Sequence, residues 1–169
     1  MKEPKDEKKA AAAPRKGGRF NSITVYNRFF ETVDVWIYNA GIQAKTRHSW
    51  EYTDRRDMCI RDSLQYVTDG EGTLECGGRS YHLSKHTLFL LPKGVHVKYY
   101  AAKENPYHYY WISFSGVYAD ILLSQSGLSA SSPVRNVPDP VIKRSFKRIY
   151  DCLRRSQEES AVDCSVSYT

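Results

Sequence analysis

Four cysteines and two methionines are all the sulfur in this 169-residue chain. Cys59, Cys76, Cys152 and Cys164 form no C-x-x-C pair and stand at no zinc-finger spacing from a histidine, so no zinc module is legible. The N-terminus lacks the apolar run of roughly 7–15 residues that a secretory signal needs, so reduced thiols are expected in place of a disulfide framework. No apolar stretch approaches the roughly 18–20 residues of a membrane span. The expectation is a cytoplasmic protein with no membrane partner. A G-x-S-x-G elbow and a phosphate-cradling Gly-rich loop followed by Lys are both missing, which removes two common routes to catalysis.

What the chain does have is charge and aromatics. The net charge is +6, but the first 20 residues alone carry seven cations and three anions, leaving +2 for the rest. The basic character therefore belongs mostly to a leader, residues 1–19, rich in Lys and Glu and ending in Gly17-Gly18. It reads as a disordered segment. The remaining charge does not mark a nucleic-acid-binding body. Aromatic residues make up 13%, and 13 of them are tyrosines.

From Ser22 to Phe114 the pattern is that of short strands separated by Gly and Pro turns, the signature of a sandwich or barrel. Strands are predicted at 33–38, closed by Gly41, and at 64–68, 73–76, 79–83, 87–91, 95–100 and 107–114. Thr87 to Leu91 is nearly all apolar, as in a strand buried on both faces. Gly77-Gly78 suits a tight hairpin turn. After Gly116 the period changes. Val117 to Ser126 reads as a helix capped by Gly127. Ser129 to Pro140 reads as a connection. Pro140 to about Ser160 carries Ile142, Phe146, Ile149, Tyr150 and Leu153 in a helical stripe, which fits either the chain's own barrel or a partner helix.

Carboxylates at Asp54, Asp57, Asp62, Asp69, Glu71 and Glu75 fall at strand ends and read as solvated surface. The histidines His48, His96 and His108 are the set a small barrel would have to bring together to hold a metal, which takes about three convergent ligands. The most distinctive segment is Tyr107 to Phe114. Alternation puts Tyr107, Tyr109, Trp111 and Ser113 on one face. Flat aromatic faces beside a hydroxyl suit a sugar ring, and they equally suit the filling of a barrel.

The order of these motifs, Tyr66-Val67-Thr68-Asp69-Gly70-Glu71-Gly72, Gly78-Arg79-Ser80-Tyr81-His82-Leu83, Leu88 to His96 with its L-x-P-x-G, and Tyr109-Tyr110-Trp111-Ile112-Ser113-Phe114-Ser115-Gly116, resembles the N-terminal regulatory domain of AraC-family transcription regulators. The likeness spans roughly residues 35–160. It implies a mainly β fold, a cupin-type double-stranded β-helix (jelly-roll barrel) followed by C-terminal α-helices. It implies an effector-binding barrel with its N-terminal arm over 20–116 and a helical dimerisation segment over 117–169. The arm, Phe20 to Phe30, reads as a lid or as an edge strand. The implied partners are a small-molecule effector, a carbohydrate, and a second copy paired through the helices. Carried over by position, the ligand-binding residues are Gln65, Asp69, His96, Tyr109, Trp111 and Ser113, and Asp69 stands where the sugar-binding pattern has a basic residue. Metal-binding cupins carry H-x-H, which this chain lacks, so no metal, no cofactor and no catalytic residue are expected. A metal-dependent cupin enzyme and a pairing module with no ligand are the rival readings. The family's two helix-turn-helix motifs have no room before Thr169, so DNA would be read only through a domain outside this chain. Asp57 to Ser63 departs from the pattern, the hexapeptide from Met58 resembles translated sequencing-adapter sequence, and the start of the strand before Leu64 is poorly specified.

Overall fold

The computed structural model describes residues 20–24, 35–43, 49–52 and 61–166, with side chains over 35–43 and 61–157. Ten strands and two helices follow in the order β1 (Phe20–Thr24), β2 (Trp36–Gln43), β3 (Ser49–Tyr52), β4 (Asp62–Asp69), β5 (Gly72–Cys76), β6 (Arg79–Leu83), β7 (Thr87–Leu91), β8 (Val97–Ala101), β9 (His108–Ser115), α1 (Ala119–Ser126), β10 (Val134–Asn136) and α2 (Pro140–Val166). The leader and most of the arm lie outside the described residues. Of the arm, Phe20–Thr24 pairs antiparallel with β2 as an edge strand.

The topology is one long hairpin rolled up. Its tip is Gly77-Gly78, where both residues take positive φ, as a two-residue hairpin turn requires. From that tip β5 pairs with β6, β4 with β7, β3 with β8 and β2 with β9, all antiparallel. Rolling brings β4 against β9 and β5 against β8. The result is a six-stranded sheet, β1-β2-β9-β4-β7-β10, facing a four-stranded sheet, β3-β8-β5-β6. Eight strands nested this way are a jelly roll, so the mainly β, cupin-type fold expected from the sequence is the observed one.

Between the sheets lie Val67, Leu74, Leu83, Phe89, Val97, Tyr99, Tyr107 and Tyr109. Edge-to-face contacts join Phe89 to Tyr99 at 6.1 Å, Tyr99 to Tyr109 at 6.5 Å and Tyr107 to Tyr109 at 5.0 Å. Cys76 is buried among them, and burial pushes its thiol up from its ordinary range. A second apolar layer covers the outer face of the six-stranded sheet, where Tyr66, Leu88, Leu90 and Tyr110 meet Leu128 and Phe146. This explains why every residue of β7 is buried: Phe89 and Leu91 point in, while Leu88 and Leu90 point out into the layer with Leu128 and Phe146.

The helix starts where its chemistry dictates. Pro140 occupies the first helical position, and the Asp139 carboxylate accepts the Val141 N–H at 2.8 Å. Gly127 ends α1 in the left-handed conformation. The connection before α2 holds an element the sequence pattern conceals, β10, which adds to the edge of β7. Asp62 corrects another expectation. It is buried, with its carboxylate accepting the Lys93 N–H at 2.9 Å. Burial raises its pKa above the usual carboxylate value, against the lowering effect of the Lys93 hydrogen bond and charge.

Candidate functional site

Strand alternation and register place one polar strip on the inner face of the large sheet. Trp111 of β9 stands opposite Gln65 of β4 and Gly41 of β2, while Ser113 stands opposite Ser63 and Asn39. Gly41 is inside a strand, where glycine is unusual. A Cβ there would lie 2.5 Å from indole atoms of Trp111, so the missing side chain is what lets the ring lie over the neighbouring backbone. The Ser113 hydroxyl donates to Ser63 Oγ at 3.2 Å, and Ser63 donates to the Ile112 carbonyl at 3.1 Å. Gln65 is only 2% exposed. Among the described residues, Gln65 Oε1 and Asn39 Oδ1 are buried acceptors with no hydrogen-bond partner. Buried amide oxygens are ordinarily satisfied, so a pair left open on one strip calls for a donor from outside the described residues.

The six residues singled out from the sequence divide in three. Gln65, Trp111 and Ser113 come together on this strip. Tyr109 faces the same way but is packed among the core aromatics and is 2% exposed. Asp69 and His96 lie at opposite rims, both exposed. Asp69 ends β4 opposite His108, whereas His96 precedes β8 at the end where Leu91 pairs with Ser63. The same geometry separates His96 from His108 by the length of β8, and His48 lies outside the described residues. Among those described, no group of three His, Cys, Asp or Glu residues is placed to hold a metal ion.

Asn39, Gly41 and Ser63 were not legible as site residues. The strand predicted at 33–38 stops short of the first two, because Gly41 resembles a turn. Its actual signal is a glycine flanked on both sides by strand residues, which marks a close approach to the backbone.

The chain is a two-sheet jelly roll with an inward tryptophan and open amide acceptors on one strip, and a helix on its outer face. The sequence model of the AraC-like ligand binding domain matches residues 46–166. The chain belongs to that family. It is 31% identical over 110 residues to the Msm operon regulatory protein of Streptococcus mutans, covering 64% of this chain and 38% of that protein. It is 32% identical over 98 residues to the raffinose operon transcriptional regulatory protein of Pediococcus pentosaceus, covering 56% of this chain and 35% of the relative. Identity is 43% over 53 residues with the lactose operon transcription activator of Staphylococcus xylosus, 31% of this chain and 19% of that one. The chain thus spans well under half the length of these relatives. No helix among the described residues is long and apolar enough to cross a membrane.

Proposed function

We propose that this chain is the sugar-sensing part of a transcription regulator, and that its pocket takes a small carbohydrate over Trp111. The observation that carries this reading is the indole laid over Gly41 beside the two unpartnered acceptors of Gln65 and Asn39. A sugar ring offers a C–H face to the indole and hydroxyl donors to amide oxygens, which is the chemistry this strip lacks internally. The relatives, two of them regulators of lactose and raffinose operons, support galactose-containing saccharides as the first class to try. Asp69 and His96 belong to this proposal as rim residues, and Ser113 as a wall residue. Tyr109 supports the floor by packing. The protein is read as a binding module in which ligand biases one arrangement of the barrel and its helices.

The deciding experiment is a thermal-shift titration of the chain with lactose, raffinose and galactose, alongside zinc and manganese. A ligand at a hundred times its Kd stabilises the fold by about 2.7 kcal/mol. The expected outcome is stabilisation by at least one sugar, abolished in Trp111→Ala. Stabilisation by a metal alone would instead support the enzyme reading, and no response would leave a closed barrel. Pairing of two chains is part of the same proposal. Ile142 and Phe146 are used on the chain's own barrel, but Ile149, Tyr150 and Leu153 remain half-buried along α2 and supply an apolar strip for a second copy.

A further inference from the structure

We propose that Tyr66 and His86 form a joint that couples the inner face of β4 to helix α2, acting as positioning residues that do not touch the ligand. The proposal rests on the sensing reading for what fills the pocket. The joint itself is built from five contacts that converge on one point.

Three consecutive residues of β4 take part. Gln65 points inward to the open polar strip. Tyr66 points outward, where it is 1% exposed and its ring stacks on Phe146 of α2, with centroids 6.2 Å apart and planes 21° apart. Val67 contributes its carbonyl, which accepts the His86 N–H at 2.9 Å. The Tyr66 hydroxyl donates to the Val137 carbonyl at 3.2 Å and lies 3.0 Å from His86 Nδ1. With the hydroxyl proton given to Val137, the imidazole supplies its own proton from Nδ1. The knot closes when the Val137 N–H donates to the His86 carbonyl at 2.8 Å. Val137 lies two residues before Asp139, whose carboxylate caps α2. The strand under the pocket is therefore tied to the chain segment that sets where α2 begins.

His86 shows that this tie is specific. It has φ +71° and is the sole non-glycine residue at positive φ among those described. Glycine or asparagine would take that conformation with less strain, but neither would put an imidazole beside Tyr66. Such a backbone strain persists only where the surrounding contacts over-determine it, as the bonds to Val67, Tyr66 and Val137 do here.

The test uses the whole chain labelled with 5-fluorotryptophan, with the Trp111 fluorine resonance assigned by Trp111→Phe. Phe146→Leu serves as a perturbation placed on α2. In the otherwise unchanged chain it is expected to displace the Trp111 resonance, and His86→Gly or Tyr66→Phe should reduce that displacement by more than half. His86→Gly should melt no lower than the parent, since glycine accepts the backbone angle. Lost coupling with an unchanged melting temperature separates a positioning role from a structural one. His86→Asn serves the same purpose should the glycine variant fail to fold. An equal displacement in all backgrounds, or none in the parent, overturns the proposal. In a second arm, lactose and raffinose are added. Both variants should keep the parent's Kd within twofold and lose the sugar-induced slowing of amide exchange at residues 140–150. If neither sugar binds, the sensing reading fails while the fluorine cycle still decides the joint.

Discussion

Gly41 and Asp62 show how much depends on single atoms here. At Gly41 the absent Cβ is the space the Trp111 indole occupies, so Gly41→Ala must push the ring away or distort β2 against β9. Overpacking of this kind destabilises by about 1–3 kcal/mol. The expected outcome is a matching drop in urea-unfolding free energy, with sugar affinity falling further than stability does. Asp62 behaves differently because its charge is held against burial. Its folded pKa is raised, so the folded chain binds the proton more tightly than the unfolded one. That contribution is fully present below the ordinary carboxylate pKa and is lost as pH rises through the elevated folded value. Asp62→Asn keeps an oxygen for the Lys93 N–H and removes the titration. Its stability should therefore lack the decline that the parent shows over that window, as urea melts at a series of pH values will reveal.

Elements were legible to the degree that their faces are covered in a simple way. β6 and β7 fall where alternation and the apolar run put them, and β7 reads as doubly buried because Leu88 and Leu90 sit in the outer apolar layer with Leu128 and Phe146. α1 ends at Gly127 as expected, because left-handed φ has an unambiguous residue preference. β2 was displaced toward the C-terminus, since its glycine serves a neighbouring ring and makes no turn. β10 was hidden because three residues on a sheet edge leave no period to read. On the inner polar strip, tryptophan on an alternating strand was readable. The amide at Asn39 was not, because its partnership is set by register with β9, a strand about 70 residues away. The stripe on α2 was legible, but how deeply each of its residues is covered was not. Phe146 is buried against Tyr66 and Leu153 is half-buried. Phe146→Ala should therefore lower unfolding free energy by about 3 kcal/mol. Leu153→Asp should leave the melt nearly unchanged and shift sedimentation toward single chains.

At the scale of the whole molecule, the polar strip has no local existence. Asn39, Gln65 and Trp111 are adjacent only because β2, β4 and β9 share a sheet, and those strands come from the two arms of the long hairpin. The pairing that makes the wall is among the longest-range in the chain, the kind that forms slowly because distant segments must meet before any contact rewards them. Nothing short of the closed barrel holds the indole, the two amides and the glycine in register. A chain caught partway through folding, or heated until its outermost strand pair parts, is thus left without a weakened version of its recognition surface. If the proposed sensing holds, only chains with the whole barrel closed will respond to ligand, and partly unfolded ones will fall silent.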